Sequence, residues 1–177
     1  MALARASGNL VTFLSGISLL ERLQVLQGKL RTAASTYEQA MQVTPGREGL
    51  QTLVNSADYS FGMGDLLREW NKLDEAEQYL SQGMELVRGT LTVYAEIVTL
   101  GYTAFARLLQ ARGNYQGALA TLQAFTELAH QRQFVPRLLD RGAAVQAQIE
   151  VAQGNVAAAV RWVEESGLSA NSRRRFQ

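Results

Sequence analysis

The chain has 177 residues, and its 17 Lys and Arg against 16 Asp and Glu leave a formal net charge of +1. This balance provides no overall electrostatic attraction to nucleic acid or to an anionic membrane. The absence of cysteine excludes disulfides, thiolate catalysis and sulfur-ligated metals. With 47% apolar residues, the composition is typical of a folded, soluble chain rather than a disordered one.

Four short turns recur along the chain at nearly constant intervals. Their central residues, which we call the pivots, are Gly28, Asn71, Gly113 and Gly154, and successive pivots are 43, 42 and 41 residues apart. Such spacing indicates a stacked repeat rather than a single globular core. Glycine adopts positive φ freely and asparagine more readily than most residues, so Asn71 suits the same tight turn.

Apolar residues recur on helical spacing before and after each pivot, which predicts two amphipathic helices per repeat. In chain order we expect helix pairs at 10–27 and 30–43, 50–70 and 73–88, 92–112 and 115–131, and 136–153 and 156–166. The sequence therefore predicts an all-α, right-handed superhelix of four helix pairs.

Small residues mark the places where helices should approach one another closely. An alanine stands five residues after every pivot, and we expect it to let the second helix of each pair lie close to the first. Small residues also stand twelve residues after three of the pivots. Phe125 occupies this position after Gly113, so we expect a wider helix spacing or a filled gap there. The alanines are Ala33, Ala76, Ala118 and Ala159.

The chain ends differ in character from the repeats. We interpret 1–9 as the end of a preceding element or a cap, 10–168 as the helical-repeat domain, and 169–177 as a polar, basic tail or truncated linker. Residues 10–20 are the most apolar stretch, but they continue into the first predicted helix and lack a processing site, which argues against a secretion signal. They are also too few to span a bilayer, and we expect no membrane contact. The absence of cysteine is compatible with the cytosol, and we expect a cytoplasmic protein.

Several strings resemble known repeat proteins. The stretch Lys29-Leu30 to Pro45 resembles the second half of a tetratricopeptide unit, so the predicted fold is tetratricopeptide-like. A closer resemblance is to the helical-repeat region of MalT-like, ATP-dependent LuxR-family bacterial transcription regulators. It is carried by Ala6 to Leu10, by Gln27-Gly28-Lys29-Leu30-Arg31, by Leu66-Leu67-Arg68-Glu69-Trp70-Asn71-Lys72-Leu73, and by Ala152 to Trp162 followed by Gly167-Leu168.

The resemblance implies a signal-sensing module that receives an inducer or a protein partner. The chain has no Gly-x-x-x-x-Gly-Lys-Ser/Thr phosphate loop and no helix-turn-helix after residue 168. We therefore expect no cofactor in this segment, with ATP and DNA bound only by missing domains of a parent protein. The alternative is a stand-alone scaffold that docks protein segments and has no transcriptional role.

Side chains on the first helix of each pair should line the concave face of the superhelix. They lie ten, six and three residues before each pivot, and their mixture of charge, amide and one aromatic ring suits a peptide, a helix or a small polar ligand. The alternative is a solvated inner face that binds nothing. The candidate binding residues are Arg22, Phe61, Asp65, Arg68, Arg107, Gln110 and Gln148.

No pattern in the chain predicts an enzyme. The single histidine, His130, has no cysteine or clustered carboxylates to form a metal site with. Glu164 and Glu165 are adjacent and would face different directions on a helix, so they cannot act as an acid/base pair. We expect no catalytic or metal-binding residue. If 1–9 leave an apolar end uncovered, we expect self-association.

Overall fold

The computed structural model describes residues 10–43, 50–88 and 94–165 of the chain. These residues form eight α-helices and no β-strand, which confirms the predicted all-α repeat. The predicted bounds agree with the observed ones to within one residue, except that the fifth helix begins at Ala95. The helices are α1 (Leu10–Leu26), α2 (Leu30–Val43), α3 (Leu50–Glu69), α4 (Leu73–Arg88), α5 (Ala95–Ala111), α6 (Tyr115–Gln131), α7 (Pro136–Ala152) and α8 (Val156–Glu165).

Each pair of helices is joined by the same tight turn, and its pivot has the predicted left-handed backbone. The φ angles are +72° at Gly28, +58° at Asn71, +76° at Gly113 and +87° at Gly154. Each pivot N–H donates to a carbonyl three residues back, and the next N–H donates to one five residues back. This is the Schellman arrangement, which satisfies the last carbonyls of the first helix.

The alanines that follow the pivots allow the two helices of a pair to lie close together. Ala33, Ala76 and Ala118 have no exposed surface, as predicted. Ala76 lies at the crossing of α3 and α4, where a Cβ added to Gly64 would come within 3.1 Å of the Ala76 carbonyl. Ala159 is only half-buried, because α8 packs against α7 alone among the described helices.

The pairs stack in chain order, and the first helices form a continuous row. Helix α1 packs against α3, α3 against α5, and α5 against α7. Each second helix also packs against the next first helix, whereas among the described residues the second helices do not pack against one another. On one side of the described stack the first helices therefore adjoin one another, and on the other side the second helices do not touch.

Ion pairs join neighbouring repeats along the stack. Arg137 and Glu96 both stand 17 residues before their pivots, and the Arg137 Nη2 lies 2.6 Å from the Glu96 Oε1. Arg112 extends from the third turn to the start of α4, where its Nη2 lies 2.6 Å from Asp74 Oδ1 and 2.9 Å from Glu77 Oε2. Such exposed pairs contribute little to stability each, but they show that adjacent repeats are in register.

Phenylalanine rings occupy the junctions between neighbouring pairs. A Cβ added to Gly83 or to Gly101 would lie 2.5 Å from the ring of Phe61, so this ring fills the space between α4 and α5. At the next junction Phe125 has the same role, because a Cβ on Gly142 would lie 2.6 Å from its Cε1. The predicted break in the pattern at Phe125 is therefore a filled gap.

None of the described helices combines the length and the apolarity needed to cross a bilayer. The segments 1–9 and 169–177 lie outside the described residues, as do Pro45 and the arginines 173–175. The interpretation of the two chain ends stays a prediction.

Candidate functional site

One side of the first-helix row carries polar side chains at regular positions. Asp65 and Arg107 stand six residues before their pivots, and Arg68 and Gln110 stand three before; all four are half-buried. Gln148, six before the last pivot, is exposed. Residues three apart project from the same side of a helix, so α3, α5 and α7 present these groups side by side. We call these five residues the first-helix surface.

A network of charges holds the α3 part of this surface. The Arg68 Nε donates to the Asp65 Oδ1 at 2.8 Å, and the Arg68 Nη2 pairs with Glu69. Burial disfavours the Arg68 charge, but the Asp65 and Glu69 carboxylates outweigh it and raise the Arg68 pKa above its ordinary value. Arg68 is therefore a fixed, permanently charged group that orients Asp65.

Arg107 links α5 to this network only loosely. Its Nη1 lies 3.9 Å from the Asp65 Oδ2, an ion-pair distance that is too long for a hydrogen bond. A guanidinium carries five N–H donors, so Asp65 does not exhaust the hydrogen-bonding capacity of Arg107. With a side chain 30% exposed, Arg107 lies near Asp65 and is accessible from solvent. Such a group can donate two parallel hydrogen bonds to a carboxylate.

The position ten before each pivot does not belong to the same surface. Phe61 is fully buried in the junction between α4 and α5, so it is a packing residue and cannot touch a ligand in this structure. Thr103, the equivalent residue on α5, is also buried, and its hydroxyl donates to the Thr99 carbonyl at 2.7 Å. Four helical residues span about 400°, which turns this position roughly 40° from the one six before the pivot and toward the neighbouring pair.

Arg22 occupies the equivalent position on α1, six before the first pivot, but its side chain lies outside the described part of the structure. The structure thus brings Asp65, Arg68 and Arg107 together, with Gln110 and Gln148 farther along the same row. Arg22 stays a prediction.

The sequence did not predict a depression that lies at the N-terminal ends of the first helices, away from the pivots. It has a volume of about 640 Å³ and lies beside the N-termini of α5 and α7. Its charged lining consists of Glu96, Arg132 and Arg137, and Phe134 and Val135 supply apolar surface. The equivalent placement of Arg137 and Glu96 in successive repeats is the sequence signal that points to it.

The single histidine and the two tryptophans lie apart from both the first-helix surface and this depression. His130 is exposed in the last turn of α6, and Trp70 lies partly exposed at the second turn. Trp162 is half-buried and borders a shallow groove of about 160 Å³ between α7 and α8. No group of three metal-ligating side chains comes together within 10–43, 50–88 and 94–165.

The family model described as the MalT-like TPR (tetratricopeptide repeat) region matches residues 1–177, the whole chain. A search of curated proteins found no match. The chain belongs to the MalT-like TPR region family.

Proposed function

We propose that this chain is the non-catalytic, signal-sensing module of a MalT-like, LuxR-family transcription regulator, and that it binds an inducer or a protein partner on the first-helix surface. The observation that carries the proposal is the alignment of Asp65, Arg68 and Arg107 on one side of adjoining helices. A cytoplasmic location accords with this role. ATP and DNA would be bound by other domains of such a regulator.

The packing of the helices supports a concave first-helix side. Among the described residues the first helices adjoin one another whereas the second helices do not, and we infer from this that the row of first helices is the shorter side of the stack. A stack with one shorter side curves toward it, and repeat proteins use the resulting inner surface for binding. We infer that the pairs form a right-handed superhelix with the first-helix surface inside.

The chemistry of the surface favours a ligand with acceptor groups. Arg68 and Glu69 are paired within α3, and Asp65 is held mainly by Arg68. Arg107 retains donors for an incoming group, and the side-chain amides of Gln110 and Gln148 both donate and accept. A polar inducer, or a peptide or helix that offers a carboxylate or backbone carbonyls, fits this set.

The substitution Arg107→Glu tests the proposal. It places a third carboxylate beside Asp65 and removes the accessible donors, so we expect the affinity for a bound inducer or peptide to fall at least about tenfold. Arg107 is partly exposed, and we expect the melting temperature to change by no more than a few degrees. Affinity is measured by titration calorimetry with ligands found by a thermal-shift screen of polar small molecules and peptides.

Arg132→Glu is the matched control, since it makes the same charge change on an exposed arginine away from the first-helix surface. It should leave the affinity unchanged. If Arg132→Glu weakens binding and Arg107→Glu does not, the ligand occupies the depression beside α5 and α7 instead.

A stand-alone scaffold that docks protein segments is the second candidate function, because tetratricopeptide-like repeats generally mediate interactions whatever protein contains them. The coding sequence around this segment separates the two. A phosphate-loop domain upstream and a helix-turn-helix downstream support the regulator. An open reading frame without either supports the scaffold.

A further inference from the structure

The depression beside α5 and α7 combines an apolar lining with a few charged side chains. Its volume of about 640 Å³ lies in the range of small-molecule sites, which are lined mainly by apolar residues with a small number of polar groups. The apolar lining residues are Ala95, Phe134, Val135, Pro136 and Leu138, and the charged ones are Glu96, Arg132 and Arg137. The lining therefore has the composition of a ligand site rather than that of a purely polar surface.

The backbone that supplies most of this lining is fixed in place. Residues 132–138, which join α6 to α7, all border the depression. The N–H groups of Gln133 and Phe134 donate to carbonyls in the last turn of α6, and Pro136 opens α7 with a φ that its ring restricts. The ring of Phe134 packs against the buried ring of Phe125, with centroids 6.4 Å apart. A ligand therefore meets a preformed lining and does not have to order it.

The two arginines of the lining differ in how their charges are compensated. The Arg137 Nη2 lies 2.6 Å from the Glu96 Oε1, so these two groups compensate each other. Arg132 is exposed and forms no ion pair within the described part of the chain. Two arginines and one glutamate give the lining a net charge of +1, and the uncompensated group is the Arg132 guanidinium.

We propose that the depression beside α5 and α7 binds a small organic monocarboxylate with an aromatic or branched apolar group, at a site separate from the first-helix surface. Arg132 donates two parallel hydrogen bonds to the carboxylate. The apolar group lies against Phe134 and Val135, and Val135 is 49% exposed without a ligand. Burial of this surface favours a ligand with an apolar body over a bare anion. A single negative charge matches the net charge of the lining, whereas a dianion is repelled more strongly by Glu96.

Phenylacetate is the probe, and two-dimensional amide NMR of the 177-residue chain follows its binding. We expect a dissociation constant at or below about 10 mM, which suits a ligand of about ten non-hydrogen atoms. The largest shifts should fall on amides of 95–96 and 132–138. Acetate lacks the apolar group and phenylacetamide lacks the charge, so each should bind at least about tenfold more weakly.

Three variants of the chain test the assigned charges. Arg132→Gln removes the uncompensated charge and should weaken phenylacetate binding at least about tenfold. Arg161→Gln makes the same change on an exposed arginine of α8, and this matched control should bind like the unmodified chain. Glu96→Gln releases Arg137 and raises the net charge of the lining from +1 to +2, so it should tighten binding by about threefold to tenfold. None of the three residues is buried, and circular dichroism should show unchanged helix content.

Four results would overturn the proposal. The first is an absence of shifts at 95–96 and 132–138 in about 50 mM phenylacetate. The second is an equal loss of affinity in Arg132→Gln and Arg161→Gln, which indicates a general attraction between the anion and a basic surface. The third is acetate that binds as tightly as phenylacetate, and the fourth is a Glu96→Gln variant that binds no more tightly than the unmodified chain.

The outcome is independent of binding at the first-helix surface. Arg107→Glu should leave the affinity for phenylacetate unchanged, because Arg107 does not line the depression. Failure of the site at Arg132 and failure of the site at Arg107 are therefore distinguished by the variant that loses binding.

Discussion

Five residues in the described part of the chain end a helix with a left-handed backbone. Gly28, Asn71, Gly113 and Gly154 are of the types that tolerate positive φ, but the fifth is Gln133, with φ of +53°. Its N–H donates to the His130 carbonyl and the next N–H to the Ala129 carbonyl, so α6 ends in the same Schellman arrangement as the pivots do. The left-handed region costs a residue with a Cβ about 1–2 kcal/mol.

Replacement of Gln133 by glycine should therefore stabilise the protein. Glycine relieves the strain but loses roughly 0.5–1 kcal/mol through the greater freedom of the unfolded chain, so we expect a net gain of about 0.5 kcal/mol. The measurement is chemical denaturation followed by circular dichroism. Gln131→Gly, two residues earlier in helical conformation, is the control and should destabilise by about 0.5 kcal/mol. A loss of stability in Gln133→Gly would show that its side chain outweighs the backbone strain.

The same residue shows one limit of prediction from sequence. The pivots could be recognised because glycine and asparagine prefer the turn conformation, whereas glutamine has no such preference. At Gln133 the backbone is determined by the packing of α6 and α7 and by Pro136, which opens the next helix. The left-handed backbone at Gln133 therefore depends on tertiary packing, which the local sequence does not reveal.

At the scale of helices, the junctions of the described structure contain aromatic rings that come from different helices. Tyr59 of α3 packs near Tyr37 with ring centroids 6.4 Å apart, Phe61 of α3 fills the junction of α4 and α5, and Phe125 of α6 fills the one with α7. A small residue faces each phenylalanine. The phenylalanine ring and the glycine that faces it are thus matched in size at two successive junctions, although a different helix supplies the ring in each.

A double-mutant cycle at the last junction tests this compensation. In the original protein Gly142→Ala places a Cβ 2.6 Å from Phe125 Cε1, and we expect a net loss of about 1 kcal/mol after the better helix propensity of alanine is counted. Phe125→Val removes the clashing atoms, at a cost below the roughly 3–5 kcal/mol of a truncation to alanine. In that background Gly142→Ala should be stabilising by about 1 kcal/mol, since only the propensity gain remains.

Urea denaturation of the four proteins provides the cycle, and the propensity of alanine cancels because it occurs in both backgrounds. Additive effects within about 0.3 kcal/mol would mean that α7 moves away from α6 freely and that the ring does not limit the spacing.

Helical periodicity predicted the elements well and their orientation less well. The period of apolar residues locates each helix to within a residue, apart from the start of α5, and it locates the buried alanines Ala33, Ala76 and Ala118. The period does not show how much of a helix its neighbours cover. It therefore predicts Phe61 on the inner face, although α4 and α5 bury this ring. The positions six and three before the pivots are farther from the neighbour, and Asp65, Arg68 and Arg107 remain partly exposed there.

At the scale of the whole molecule, the stack has a gradient of contacts from its middle to its ends. Helices α3 and α5 pack against helices of the preceding and following pairs as well as against their own partners, whereas α8 packs against α7 alone within the described residues. In a repeat protein of this kind, stability is close to a sum of intrinsic and nearest-neighbour terms. Helix α8, which has a single packing neighbour among the described helices, should then open before α3 and α5 do.

Native-state hydrogen exchange measures this gradient directly. In dilute solution we expect amides of α3 and α5 to exchange with free energies near that of global unfolding, and amides of α8 to exchange with the lowest values of any helix. Equal protection in α8 and α5 would indicate a single cooperative unit and contradict the nearest-neighbour description.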